Sequence, residues 1–126
     1  MSIEQTLIPA LAAATGEHVR SLHGEQLTDL LPARVPLIIV ARTMADWGAW
    51  QTTCGPELGI ADVIIQIDYY ALTLEAARRL ADHGRGVVAG LLGAAPESEF
   101  DVWEAPLRVH RVTASYNVPD YSPAVI

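Results

Sequence analysis

Ile60-Ala61-Asp62-Val63-Ile64-Ile65-Gln66-Ile67-Asp68-Tyr69-Tyr70 is the stretch that decides how this chain folds. Ala61, Val63, Ile65, Ile67 and Tyr69 share one side of an extended chain; Asp62, Gln66 and Asp68 share the other with Ile60, Ile64 and Tyr70. Successive side chains of a pleated backbone point to opposite faces, so a period of two marks a strand. Acids confined to one face predict an antiparallel strand with one packed face and one at least partly wet.

A packed face needs a cover, and the flanking sequence supplies helices. Thr73 stands where an N-cap belongs, with Glu75 in the first turn, and Ala77, Leu80, Ala81, Val88, Leu91 and Leu92 form an apolar stripe. Together they predict a helix to about Leu92. Gly84 and Gly86 each cost about 1 kcal/mol relative to Ala inside a helix; they mark a close helix–sheet approach or a bend. At the other end, residues 2–14 read as a helix capped by Ser2, with Ile3, Leu7, Ala10, Leu11 and Ala14 on one face. Pro9 removes a backbone donor and is expected to kink or divide it; Gly16 ends it.

Between these lie less regular segments. Leu22, Leu27, Leu30 and Leu31 fit a second short helix, broken near Gly24 and stopped by Pro32. The β-branched run Leu37-Ile38-Ile39-Val40-Ala41-Arg42-Thr43 after Pro36 predicts a largely buried strand. Residues 46–57, with Asp46, Gly48, Gly55 and Pro56, read as a loop. Gly93 to Ser98 reads as an exit loop, and a closing strand falls within Leu107 to Val118. Pro119 and Pro123 then exclude a sheet interior. The expected fold is α+β: a two-layer sandwich, its mainly antiparallel sheet of three or four strands carrying helices on one face. The chain reads as a single domain, 1–126, with a flexible C-terminal arm from 119 to 126.

Composition narrows the function. The chain of 126 residues is 51% hydrophobic, 18% charged and carries a formal net charge of −7. All eight basic residues are Arg, and they are scattered, so the basic footprint that neutralises phosphates is missing. Specific nucleic-acid recognition is not expected. The single Cys54 forms no internal disulfide. No basic segment precedes an apolar run near Met1, and no apolar stretch is long enough to span a bilayer. These features predict a cytosolic protein without a membrane segment.

No cofactor, metal or catalytic constellation emerges. His18 and His23 are five apart, not the i, i+4 pair of a helical zinc site. His83 and His110 read as structural or solvated, and Cys54 has no base beside it in sequence to activate it. Asp62 and Asp68 stand about 20 Å apart along one strand, too far to share a site. No glycine-rich phosphate loop and no nucleophile elbow is present. An enzyme is therefore not the expectation. Two features point to contacts between subunits instead. Trp47 and Trp50 lie in the glycine-containing loop, and Tyr116 and Tyr121 lie in the C-terminal segment; large aromatics of this kind recur at interface centres.

The layout of nearly the whole chain resembles the small phage tail-completion proteins, also described as tail terminator or head–tail joining proteins. The points of likeness are the Ala- and Leu-rich N-terminal helix, the Pro36-Leu37-Ile38-Ile39-Val40 strand leading into a variable loop, the strand from Ala61 to Tyr70 followed by a helix opening Thr73-Leu74-Glu75-Ala76-Ala77, and the closing segment Arg108 to Tyr116 with alternating Arg and apolar residues. The resemblance implies a structural protein of a tailed phage or prophage. Such a protein forms a homo-oligomeric ring, often of six copies, that terminates the tail tube and joins it to the head connector. It implies no catalytic residues and no cofactor. It further implies assembly in the host cytoplasm, then a place in the virion tail. Two other readings remain: a small enzyme or ligand-binding domain with a cleft near Cys54, His83 and the acidic strand, and a toxin–antitoxin-type partner protein. Under the assembly reading, trimming 120–126 is expected to leave the fold intact and impair assembly.

Overall fold

The computed structural model describes residues 3–21, 35–46 and 60–121. Along the chain these form α1 (Ile3–Thr15), β1 (His18–Ser21), β2 (Leu37–Asp46), β3 (Ile60–Ala71), α2 (Leu74–Leu92), β4 (Ser98–Glu104) and β5 (Val109–Tyr121). The strands make one sheet in the order β1-β2-β3-β5-β4. β2, β3, β5 and β4 run antiparallel to their neighbours, while short β1 lies parallel to β2. The α+β fold is as read, with a four-stranded antiparallel sheet extended by one parallel edge strand.

β3 holds the centre of the sheet because its apolar face is unbroken. Val63, Ile65, Ile67 and Tyr69 are buried on the side of the helices. Their cross-strand partners Val118, Tyr116, Ala114 and Val112 on β5, and Ile38 and Val40 on β2, complete that surface. Ile3, Leu7 and Leu11 of α1 and Ala77, Leu80, Ala81 and Val88 of α2 close over it as one cluster. The side chains named on α2 recur every three to four residues, so burying them requires only that one stripe face the sheet.

Both helices have identifiable ends. The Ala76 N–H donates to Thr73 Oγ1 at 3.1 Å, the cap expected from sequence. Gly93 adopts a left-handed φ of 63° and its N–H donates to the Ala89 carbonyl at 3.0 Å. At the end of α1 the Gly16 N–H donates to the Ala12 carbonyl at 2.9 Å. Pro9 does not divide α1, which continues from Ile3 to Thr15 around it. The ring sits on the exposed side, away from the Ile3, Leu7 and Leu11 stripe that docks on the sheet. Tertiary packing thus overrides the local cost of proline. Arg42 ties α1 to β2 by a two-pronged contact with Glu4, 2.7 and 3.2 Å.

Four expectations need correction. Residues 18–21, given no element of their own from sequence, form β1; the Leu-rich stretch read as a second short helix and most of the 46–57 loop lie outside the described residues. β4 was missed entirely. It turns the last part of the chain into a hairpin, with residues 105–108 as the turn and Arg108 at a positive φ of 53°. α2 therefore leads to β4, not to the closing strand: β3 and β4 are parallel, and β5 is inserted between them. Finally, β5 does not stop before Pro119 but reaches Tyr121, with Pro119 opposite Asp62. Proline is tolerated there because β4 ends its pairing at Ser115, leaving β3 as the one paired neighbour. The arm expected from 119 thus gives its first three residues to the sheet, and a truncation meant to spare the fold belongs after Tyr121.

Gly84 explains the approach of α2. A Cβ there would overlap Tyr69 Oη and lie 2.6 and 2.7 Å from Cε1 and Cζ of the same buried ring, whereas a Cβ on Gly86 would meet open space. Gly84→Ala is expected to destabilise the protein by about 1–3 kcal/mol through overpacking. Gly86→Ala is expected to stabilise it by up to about 1 kcal/mol. The Tyr69 hydroxyl is buried without a hydrogen-bond partner, so Tyr69→Phe should cost little alone; it removes the hydroxyl overlap but keeps Cε1 and Cζ, so it should recover only part of the Gly84→Ala loss. Urea unfolding of the single and double variants checks this; additive effects would contradict the contact.

Candidate functional site

The face of the sheet turned away from the helices is not wholly wet. Asp68, opposite Thr113 in the β3–β5 register, is only 6% exposed. A buried carboxylate is costly unless hydrogen-bonded, and this one is held from both sides. Thr113 Oγ1 donates to Oδ1 at 2.7 Å, and Gln66 Nε2 donates to Oδ1 and Oδ2 at 3.2 and 3.1 Å. Around it Leu37, Ile39, Tyr70 and Val109 form a second apolar cluster, with Val35 and Leu107 packed against it. Tyr70 is pushed up to about 12, first by burial and then by the Asp68 charge, with Arg111 opposing. A phenol that resists ionisation is unsuited to proton abstraction near neutral pH. Arg111 itself is anchored on Glu104, Nη2 to Oε1 at 3.0 Å, while its Nε is buried without a partner.

On the helix side, ion pairs join α2 to β4. Arg78 pairs with Asp101, and Arg85 reaches Glu99 at 2.7 Å and Asp82 at 3.0 Å. These groups line a shallow depression of about 210 Å³ floored by Ala81 and Val112. Both arginines in it are matched by acids, Arg85 by two, so the depression offers a ligand no free cation. A second depression of about 250 Å³ runs past Thr15, Glu17, Arg79 and His83. Among the described residues no three His, Cys, Asp or Glu side chains are grouped to hold a metal ion. No described helix is long and apolar enough to cross a membrane.

The residues singled out from sequence fall in scattered places. Trp47, Trp50, Cys54 and His23 lie outside the described residues. Tyr121 is the last residue of β5. Tyr116 is not an interface residue of the folded subunit: it is buried in the helix-side core, since its place in β5 faces α2. His18 belongs to β1. His83 is on the exposed side of α2, so the sheet stands between it and Asp68. His83 and Asp68 are therefore not brought together, and Cys54, the third part of the expected cleft, lies outside the described residues. His110 packs on Trp103, ring centroids 4.6 Å apart at 45°.

Sequence reasoning missed the outermost strand and with it the most exposed aromatics among the described residues. Phe100 and Trp103 of β4 are 51% and 52% exposed. Leu72, between β3 and α2, and Leu91, in the last turn of α2, are also exposed. The signal was present: Glu99, Asp101 and Trp103 alternate with Phe100, Val102 and Glu104, and Ala105-Pro106 follows as a turn. Compared with models of known protein families and with curated proteins, the chain matches none.

The buried tyrosines make stability fall in base. An unfolded tyrosine loses its proton near pH ~10, whereas Tyr70 in the fold keeps it to about 12. Between these values the unfolded chain binds fewer protons than the native one, so stability is complete below pH ~10 and declines above it, by up to about 1.4 kcal/mol per pH unit for this group. Tyr69 and Tyr116, raised chiefly by burial, act in the same direction. Urea midpoints measured from neutral pH into strong base should fall, and less steeply in Tyr70→Phe; equal slopes would contradict the assignment.

Proposed function

We propose that this chain is a structural assembly protein of a tailed phage or prophage, a subunit of a ring that terminates the tail tube and joins it to the head. The observation that carries the reading is where exposed apolar groups lie. Leu72, Leu91 and the Phe100–Trp103 strand are three separate surface sites at the ends and edge of the fold. A head-to-tail ring needs two unlike patches on each subunit, while a catalytic cleft needs polar groups converging on one hollow. The layout behind the family resemblance, α1, then β2, β3, α2 and a closing strand, is present with β1 and β4 added to it.

The ring is homo-oligomeric, of six copies by the family's habit, and its other partners are tail and head-connector proteins. The subunit needs no cofactor and carries out no reaction. It assembles in the host cytoplasm and ends in the virion tail. The matched ion pairs of the α2–β4 surface suit a lumen or rim that DNA passes without sticking.

Co-expression with the products of its neighbouring genes, followed by electron microscopy, tests this. The expected outcome is a ring at one end of tail tubes, absent when the chain is omitted. Tubes whose ends are unchanged by the chain, with no complex isolated, would overturn it. Leu72→Glu is expected to reduce ring assembly at least several-fold without lowering the melting temperature, because Leu72 is 64% exposed.

A further inference from the structure

The outer edge of β4 is open among the described residues: β4 ends the sheet, and Ser98, Glu99, Phe100 and Asp101 are all exposed. It reads Ser98-Glu99-Phe100-Asp101-Val102-Trp103-Glu104, without the proline or lysine that commonly blunts an edge, and it pairs with β5 in unbroken register. Its two faces differ. On the helix side Asp101 lies opposite Val112 and Glu99 opposite Ala114. Each has an arginine from α2, but Arg85 is shared between Glu99 and Asp82, so three acids of the α2–β4 depression meet two arginines and one acid is left over. On the far side Phe100 and Val102 lie opposite Thr113 and Arg111, and Phe100 is half exposed. The edge therefore takes a cation on one face and apolar side chains on the other.

We infer that β4 is extended by a strand from a different protein, with an arginine or lysine opposite Asp101 and an apolar residue on either side of it. In an added strand the residue opposite Asp101 points to the helix side, and its two neighbours point to the far side, where they meet Phe100 and Val102. The pattern apolar–cation–apolar reads alike in both directions, so it holds whichever way the strand runs. The incoming cation meets the acid left over, so no pair between α2 and β4 has to break. Its stem lies across the apolar floor of Ala81 and Val112. An anionic residue there would add like charge to the excess, which destabilises a sheet. A second β4 is such a strand: its Glu99, Asp101 and Glu104 bring three further acids to the edge. Main-chain bonds along the edge supply affinity, and the alternate side chains supply selection. The inference rests on the assembly reading, in which another chain covers β4, and names the chemistry of that chain. Leu72 and Leu91 remain for contacts within the ring.

Amide chemical shifts of the isolated, isotope-labelled chain, titrated with short blocked peptides, test this. One peptide has arginine at its centre, valine on either side and threonine elsewhere; the other has glutamate in place of the arginine. The arginine peptide should shift the amides of 98–104 and bind about tenfold or more tightly than the glutamate peptide. Asp82→Asn removes the surplus acid without touching β4. It should weaken the arginine peptide several-fold and leave the melting temperature unchanged, since Asp82 is exposed. N-methylation of alternate peptide amides should abolish binding in one phase and spare it in the other, because only every second amide of an added strand faces β4. No shift in 98–104, equal affinity for the two peptides, or binding that survives both N-methylations would each overturn the proposal. So would self-association of the chain through 98–104 without any peptide, which makes a second copy the occupant. Peptide failure alongside rings seen by electron microscopy rejects the partner chemistry and not the assembly; peptide binding without rings does the reverse.

Discussion

The seating of α2 on β3 at Gly84 and Tyr69 is the contact on which the rest of this structure depends. A bare backbone at Gly84 lets the helix come down until it touches the ring of a buried tyrosine. That depth sets the thickness of the helix layer, and α1 fills what remains with Ile3, Leu7 and Leu11. It also sets the angle from which Arg78 and Arg85 reach Asp101 and Glu99, so the outermost strand is held by arginines from the helix. Exposed ion pairs contribute at most about 1 kcal/mol each. Their effect here is to place β4 and to cancel its charge, more than to stabilise the fold.

The two faces of the sheet follow different rules. The helix side is an apolar core interrupted by two phenol hydroxyls without partners, those of Tyr69 and Tyr116. The far side combines a smaller apolar cluster with one buried, fully engaged carboxylate. Asp68 is thus part of the architecture of the sheet. Three donated hydrogen bonds engage its oxygens, and burial keeps the Tyr70 phenol beside it protonated. This physical picture, together with apolar residues exposed at separate edges, is what turns the interpretation toward assembly.

Much of this was legible from residues. The alternation of 60–70 identified the central strand and Thr73 and Gly93 bounded α2, because each of these signals is local and agrees with the tertiary fold; Gly84 and Gly86 left open a close approach or a bend, and the contact with Tyr69 decides for the approach at Gly84. Pro9 does not divide its helix, because the local penalty is outweighed by the docking of that helix. β1 is too short, and pairs with too distant a segment, for periodicity to reveal it. β4 was hidden because its exposed alternation of acids and aromatics looks like a solvated loop until its partner β5 is known. Tyr116 was placed at an interface on composition alone; the register, which no single residue reveals, turns it inward.

We propose that the exposed apolar edges of this protein are covered by other chains when it assembles. Hydrogen–deuterium exchange of the chain, alone and within the complex formed with its neighbouring gene products, tests that claim most directly. The account predicts slower exchange on complex formation in 98–104 and around Leu72, with the buried amides of α2 and β3 unchanged. Exchange unaltered at those edges, with protection gained only around the His83 depression on adding a small molecule, would contradict it.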